Sequence, residues 1–243
     1  TELGAEIHTG DFDDTASMVA AAKGTDAAFI MGTPFDVGGP EAERRQSIAA
    51  IDAIGSAGVP HLLYSSVASA LDGTGIPHFE SKAEVESHLA DRPERHTVLA
   101  PVAFLDNLTL EPNRQLLRDG VYTFPLPGDV PLQQVAIADV AALAALVFES
   151  PERYAGQRIE LASIETTGTE MAARLSRIMG RSIRYHETPL DVIAQQMGED
   201  GVRMIEFFRS GGYSVDIPAL RGSHPEVDWH DLVSPRSPDG NGG

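Results

Sequence analysis

The chain has 243 residues, 42% of them hydrophobic and 22% charged, enough for one large α/β domain or a domain with a smaller appendage. Its 36 acidic against 18 basic residues give a formal charge of −18, which opposes binding to nucleic acid or an anionic membrane, because both recruit basic groups; a local pocket for one phosphate stays compatible with it. The absence of cysteine rules out disulfides, thiolate nucleophiles and cysteine metal sites.

No run of about 18 apolar residues is present to span a membrane, and no basic-then-apolar leader opens the chain. The expectation is a soluble, cytoplasmic protein. The first residue is Thr1 rather than methionine, and the opening residues read as an element already under way.

Ala5–Phe12 reads as a short strand and turn. Asp13, Asp14 and Thr15 then offer N-cap chemistry for a helix over Ala16–Lys23, which Gly24 stops. Ala27–Met31 is a second, buried strand leading to Gly32-Thr33-Pro34, and Gly38-Gly39-Pro40 closes that loop. Glu41–Ala57 is helical, with Ile48, Ile51 and Ile54 along one side as a core or dimer-face stripe. His61–Val67 is an apolar strand ending in Ser65 and Ser66, Pro77–Arg92 a helix, and Thr97–Val102 a fourth strand. Strand and helix therefore alternate over residues 5–102, the pattern of a parallel sheet with helices on both faces and right-handed crossovers.

Beyond Pro101 the rhythm changes. Phe104–Arg118 reads as a helix broken at Pro112, Val121–Phe124 and Gln134–Ile137 as strands, and Asp139 as the cap of a helix over Val140–Phe148. Gln157–Ala162 and Ser182–Glu187 are further strands, Thr169–Met179 an amphipathic helix, and Leu190–Arg209 a long helical pattern that Gly198 or Gly201 splits. The expected organisation is a parallel α/β domain over 1–103, a small mixed lobe over 104–233 interleaved with the main sheet, and a Pro/Gly/Ser/Asp-rich disordered tail over 234–243. No internal repeat is present.

The chemistry concentrates after the third strand. His78 and Lys82, four residues apart, share one face of a helix that follows a strand end and a loop. Sites in parallel α/β folds lie where the strands' carboxyl ends open. Lys82 is then a ligand contact, or else a surface lysine paired with Glu86 one turn on. Ser65 and Ser66 are ligand-facing hydroxyls or strand-end hydrogen bonders, and Asp11 is a ligand contact or a cap. The other histidines have no metal-ligand spacing, and no metal site is expected. Trp229 reads as an anchor for the last segment.

The stretches Gly4–Glu6, Gly10–Asp14, Tyr64–Val67 and Pro77–Glu86 resemble the NmrA-like family of atypical short-chain dehydrogenase/reductases, and within it the HSCARG-type NADPH sensors. Pro101–Phe104, Asn107, Gly128–Pro131 and Pro151–Gln157 continue the likeness, which runs from about Leu3 to Leu232. The resemblance implies a Rossmann-type α/β domain holding NAD(P)(H), with NADP favoured over NAD, and a small C-terminal lobe over the nicotinamide end. It implies that Asp11 and Phe12 lie beside the adenine, that Thr33 and Pro34 run along the adenosine and pyrophosphate side, and that Lys82 bonds the nicotinamide ribose. Ser65, Pro101, Val102 and Ala103 would flank the cofactor, and Phe104 and Asn107 would line the substrate pocket unless Phe104 is ordinary core. Lys82, His78 and Ser66 would be the catalytic set, with helix-entry capping or contact with the cofactor amide as the other roles open to His78.

Two departures from the family pattern matter. No G-x-G-x-x-G occurs, and the match starts at the fold's third strand, so on the order of 50 residues, more than one βαβ unit, have no counterpart here. The favoured explanation is a fragment of a longer product, which alone would bind dinucleotide poorly; the alternative is a different fold at the start, with strands borrowed from a partner. The residues that select the 2′-phosphate belong to that region.

The second departure is His78, where the wider superfamily has tyrosine. A histidine titrates near pH ~6.5 unaided and can donate a proton to a reduced carbonyl or quinone oxygen. The sensors that this segment resembles also carry histidine there and act more as regulators than as enzymes. The leading expectation is a dinucleotide-responsive sensor or regulator working through a protein partner or a homodimer. The alternative is an NAD(P)H-dependent reductase of quinones, azo compounds or similar small electrophiles, and a third is a degenerate fragment that binds nothing.

Overall fold

The computed structural model describes residues 4–231. In chain order the elements begin α1 (Thr15–Ala22), β1 (Ala28–Met31), α2 (Gly39–Ser56), β2 (His61–Ser65), α3 (Pro77–Ala90), β3 (Arg95–Pro101), β4 (Ala103–Phe104), α4 (Asn113–Arg118), β5 (Val121–Phe124) and β6 (Pro131–Val135). They continue with α5 (Ile137–Glu149), α6 (Pro151–Tyr154), β7 (Arg158–Leu161), β8 (Ile164–Thr167), α7 (Gly168–Met179), β9 (Arg184–Glu187), α8 (Leu190–Arg209) and α9 (Ile217–Ser223). The chain divides into two units. One runs to Pro101 and takes in Leu143–Glu160; the other comprises Val102–Ala142 and continues from Leu161.

In the first unit the sheet order is β1-β2-β3-β7. The first three strands are parallel, with Met31 beside Ser65 and Ser65 beside Leu99. Every residue of β2 is buried, as a central parallel strand covered on both faces requires. Asp14 accepts the N–H groups of Ala16 and Ser17 and so caps α1. Ile30, Ile51, Ile54, Leu62, Tyr64, Val85 and Leu89 form the core, with Ile48 packed against it. The isoleucine stripe of α2 therefore faces the core, buried Ile51 and Ile54 each contributing about 1.5–3 kcal/mol by leaving water and partly buried Ile48 less.

Ala5–Phe12 does not form the expected strand. A strand exists through its ladder, and among the described residues β1 pairs on one side only, leaving Phe29 43% and Met31 58% exposed. The segment folds into local turns instead: Asp11 accepts the Asp13 N–H on its carboxylate and the Asp14 N–H on its carbonyl, each at 2.9 Å. Phe12 packs on the core.

His61 is buried at the start of β2. Thr97 Oγ1 donates to the Tyr154 carbonyl (2.8 Å), so its contact with His61 Nε2 (3.1 Å) makes that nitrogen the N–H donor. Nδ1 then lies buried with a bare lone pair and no hydrogen-bond partner. Burial holds the His61 pKa below its ordinary value. The unfolded chain takes up a proton near pH ~6.5 that the folded chain refuses. Stability is thus full above that pH and declines as pH falls toward the depressed value. We expect His61→Gln to flatten the fall in urea midpoint between pH 7.5 and 5; a slope equal to that of the wild type would contradict this account.

In the second unit, β4 and β6 pair parallel, β6 and β8 antiparallel, and β5 and β9 parallel. Its core gathers Leu105, Tyr122, Ile164, Met171 and Leu175. The helix expected over Phe104–Arg118 resolves into β4, a 3-10 turn over Leu105–Thr109 and α4 beginning after Pro112, because proline cannot donate within a helix. Gly198, at φ 65° and ψ −154°, kinks α8.

Asp139 does not cap α5 but lies inside its first turn, and Asp106 accepts the Ile137 N–H at 2.8 Å instead. The buried Asp139 carboxylate receives Ser163 Oγ (2.5 Å), the His230 N–H (3.0 Å) and His230 Nδ1 (2.5 Å). Trp229 donates to the His224 carbonyl at 3.2 Å, as befits an anchor for the last segment. The tail expected over 234–243 lies outside the described residues. Among those described, no helix is long and apolar enough to cross a membrane, and no cluster of side chains could hold a metal ion.

Candidate functional site

The parallel register sets the ends of β1, β2 and β3 side by side, so that Gly32-Thr33-Pro34, Ser65-Ser66-Val67 and Pro101 share the carboxyl edge of the first unit's sheet. The loop after β2 is tied to the end of β3: Ser66 N–H donates to the Leu99 carbonyl (2.8 Å) and Ala68 N–H to the Pro101 carbonyl (3.0 Å). Helix α3, with Pro77 in its first turn, brings in His78 and Lys82, both buried.

Lys82 does not pair with Glu86. Its Nζ donates to Glu43 Oε1 of α2 at 2.5 Å, and Ser81 Oγ donates to Glu43 Oε2 at 2.7 Å. The Lys82 side chain is 9% exposed and that of Glu43 is 0% exposed, so this is a buried ion pair with a hydroxyl on its second oxygen. Gly32 makes room for it: a Cβ there would meet Glu43 Cγ at 2.8 Å and Ser47 Oγ at 2.5 Å. The Lys82 ammonium also lies 5.7 Å from the centre of the Tyr64 ring, within cation–π range. Burial first, and then the charge of Glu43, raise the Tyr64 pKa. The phenol therefore stays protonated at neutral pH.

Glu86 has a different task. It accepts Ser66 Oγ on one oxygen and Arg158 Nε (2.8 Å) on the other. Arg158 also donates to Glu160 (2.6 Å) and to the Val67 carbonyl (3.0 Å), while Ser69 N–H donates to Glu160 (3.0 Å). Burial works against the Arg158 charge, but the hydrogen bonds to Glu86 and Glu160 outweigh it and the net shift is upward. The Ser66 hydroxyl is thus engaged in holding the loop.

The His78 ring stands edge-on to Phe79 (centroids 4.7 Å apart) and tilted against Phe35 (5.7 Å). Ser65 is buried, Pro34 half-buried, and Thr33 exposed with its hydroxyl accepting the Phe35 N–H. Asp11 is exposed, and Phe12 is committed to the core. In the second unit, Val102 is buried and half-buried Ala103 and Phe104 pair with Gln134 and Val135. Asn107 is exposed, its carbonyl accepting Asn113 Nδ2 at 2.8 Å. Thr33, Pro34, Ser65, Ser66, His78, Lys82 and Pro101 therefore share the first unit's carboxyl edge and the helix beside it, whereas Asp11 and Phe12 belong to the turn before α1.

Sequence reasoning missed Glu43, Phe35 and the Glu86–Arg158 link. A signal for Glu43 was present. Glu43, Ser47, Ile51 and Ile54 fall at helical spacing on the buried face of α2, so an acidic residue there demanded a buried partner.

The NmrA-like family model matches residues 1–229. A (4-alkanoyl-5-oxo-2,5-dihydrofuran-3-yl)methyl phosphate reductase of Streptomyces griseus is 27% identical over 243 aligned positions, covering 93% of this chain and 82% of the relative. An NADPH-dependent quinone oxidoreductase of Escherichia coli, solved with NADPH, superposes with a TM-score of 0.76 at 24% identity, covering 95% of this chain and 82% of that one. NmrA, a negative transcriptional regulator solved with NAD, superposes with a TM-score of 0.68 at 20% identity, covering 94% and 78%. The two structural likenesses fix the fold as Rossmann-type α/β. With the family model matching nearly the whole sequence, this chain belongs to the NmrA-like family.

Proposed function

We propose that this protein binds NAD(P)(H) at the carboxyl edge of the first unit's sheet and acts as a dinucleotide-responsive sensor or regulator. The observation that carries the reading is Lys82, a buried ammonium on the helix beside the serine-ended central strand. An ammonium has three N–H donors and one is given to Glu43, which leaves two for ribose hydroxyls. The donor set suits the ribose half of a dinucleotide. Among the described residues there is no G-x-G-x-x-G turn of the kind that receives a pyrophosphate. The solved family relative and the quinone oxidoreductase that this fold matches were crystallised with NAD and NADPH, which supports the ligand class. A cytoplasmic setting and readout by a protein partner or a second copy belong to the same proposal.

His78 inclines the choice toward sensing, since its ring is buried against two phenylalanines. A second reading, reduction of a quinone or similar electrophile, is favoured by the reductase names of the relatives. The nicotinamide would then supply the hydride, and His78 would hold the proton for the reduced oxygen.

Nicotinamide fluorescence on titration with NADPH tests the proposal. We expect weak but saturable binding that Lys82→Ala lowers further, by at least about tenfold, the worth of a hydrogen bond from a charged donor. Binding without turnover, coupled to a change in oligomeric state, supports the sensor. Steady NADPH oxidation with a quinone panel, lost in Lys82→Ala, supports the reductase and removes the sensor as sole function. No binding, or equal binding by Lys82→Ala, overturns both.

A further inference from the structure

We infer that Glu43 is the positioning residue for Lys82: a carboxylate delivered from a different helix that fixes where the ammonium stands and which of its N–H groups remain for a ligand. The inference rests on the reading of Lys82 as the ribose contact and adds a residue to that site.

Three separate observations carry it. The Glu43 side chain has no exposure, so its carboxylate is not a solvated surface charge that happens to meet a lysine. Both of its oxygens are committed, Oε1 to Lys82 Nζ at 2.5 Å and Oε2 to Ser81 Oγ at 2.7 Å. Ser81 and Lys82 are consecutive on α3, so the carboxylate reads two adjacent positions and its orientation is fixed as well as its place. Finally, the strand end is hollowed to admit it: at Gly32, any side chain would overlap Glu43 Cγ and Ser47 Oγ.

The chemistry follows from the donor count. A lysine ammonium sits on a flexible four-carbon stem and can turn any of its three N–H groups in any direction. Tying one to a fixed carboxylate removes that freedom before the ligand arrives, and preorganisation of this kind raises affinity by sparing the cost of ordering on binding. It also neutralises the buried charge locally, so the site offers directed hydrogen bonds more than a bare cation.

Loss of Glu43 acts on a ligand in two opposed ways. A freed ammonium would attract an anionic dinucleotide more strongly through its uncancelled charge, whereas a mispositioned one would bind it less well. We expect positioning to win, because the ribose offers neutral hydroxyls whose geometry decides the contact.

The test is a double-mutant cycle on NADPH affinity, read by nicotinamide fluorescence in variants whose circular dichroism and thermal melts show them folded. Glu43→Gln keeps the shape and one acceptor, and is expected to weaken NADPH about tenfold. The same substitution made in Lys82→Ala is expected to change affinity less than twofold, since there is no ammonium left to position. A purely structural role would lower affinity equally in both backgrounds. Glu43→Asp, which keeps the charge but withdraws it by one methylene, is expected to fold and to fall between wild type and Glu43→Gln; it stands as the test variant should Glu43→Gln not fold.

Unchanged or tighter NADPH binding in a folded Glu43→Gln or Glu43→Asp overturns the inference while leaving the Lys82 reading intact, provided Lys82→Ala is impaired. Equal losses in both backgrounds overturn it too. Lys82→Ala binding as well as wild type removes the ribose reading and this inference together.

Discussion

Replacing Glu43 by alanine is expected to lower the free energy of unfolding by about 3–5 kcal/mol, because it leaves the Lys82 ammonium buried without a counter-charge. The two side chains are 0% and 9% exposed, so solvent cannot take over the role of the lost carboxylate. Alanine also strips Ser81 Oγ of one of its two acceptors, leaving only the His78 carbonyl at 3.0 Å. The same physics gives the second half of the prediction. A buried ion pair exchanged whole for well-packed apolar side chains is often neutral or stabilising, so Glu43→Met combined with Lys82→Met should regain most of the loss. Urea midpoints of wild type, Glu43→Ala and the double variant decide the matter. A double variant as unstable as Glu43→Ala would mean that the deficit comes from lost packing and not from a stranded charge. A recovered double variant that no longer binds NADPH would separate what the pair does for stability from what it does for the ligand.

The extent to which this molecule can be read from its sequence depends on how local each cause is. The strands β1, β2 and β3 and the helices α1, α2 and α3 follow from hydrophobic period, caps and glycine stops, all of which act within a few residues. Asp14 before α1 and the serine-ended β2 were legible for that reason. Ala5–Phe12 has strand composition but no ladder neighbour among the described residues, and composition alone cannot supply one. Strand β8 and the helices α6 and α9 are only four, four and seven residues long, too short for a period to declare itself. Asp139 had the sequence look of a cap, yet its carboxylate is claimed by Ser163 and by His230, 91 residues away. At the site the same division holds. The placement of Lys82 one turn after His78 is a local fact. Its partner is Glu43, at a separation of 39 residues, and not Glu86 one turn on. The nearer carboxylate was unavailable because Ser66 and Arg158 hold it, a competition settled only once the sheet has formed.

Arg158→Ala is expected to lower the stability of the first unit by about 2–4 kcal/mol. The Arg158 guanidinium forks to Glu86, Glu160 and the Val67 carbonyl at 2.8, 2.6 and 3.0 Å, and only the Glu86 arm is deeply buried, that side chain being 7% exposed. Glu160 is 33% exposed, so Glu160→Gln should cost less than about 1 kcal/mol, as a screened pair does. If charge alone mattered, Arg158→Lys would restore the wild type. We expect it to recover less than half of the loss, because an ammonium on a shorter stem cannot serve two carboxylates and a carbonyl with the planar fork that guanidinium provides. The Val67 carbonyl belongs to the loop that follows β2, and the Ser69 N–H is held by the same Glu160. Loosening the fork should therefore expose that loop before the rest of the unit opens. Limited proteolysis of Arg158→Ala under native conditions is expected to cut first between residues 67 and 76. Urea curves for the three variants give the energetic order, and an Arg158→Lys midpoint equal to that of wild type would show that geometry contributes nothing beyond charge.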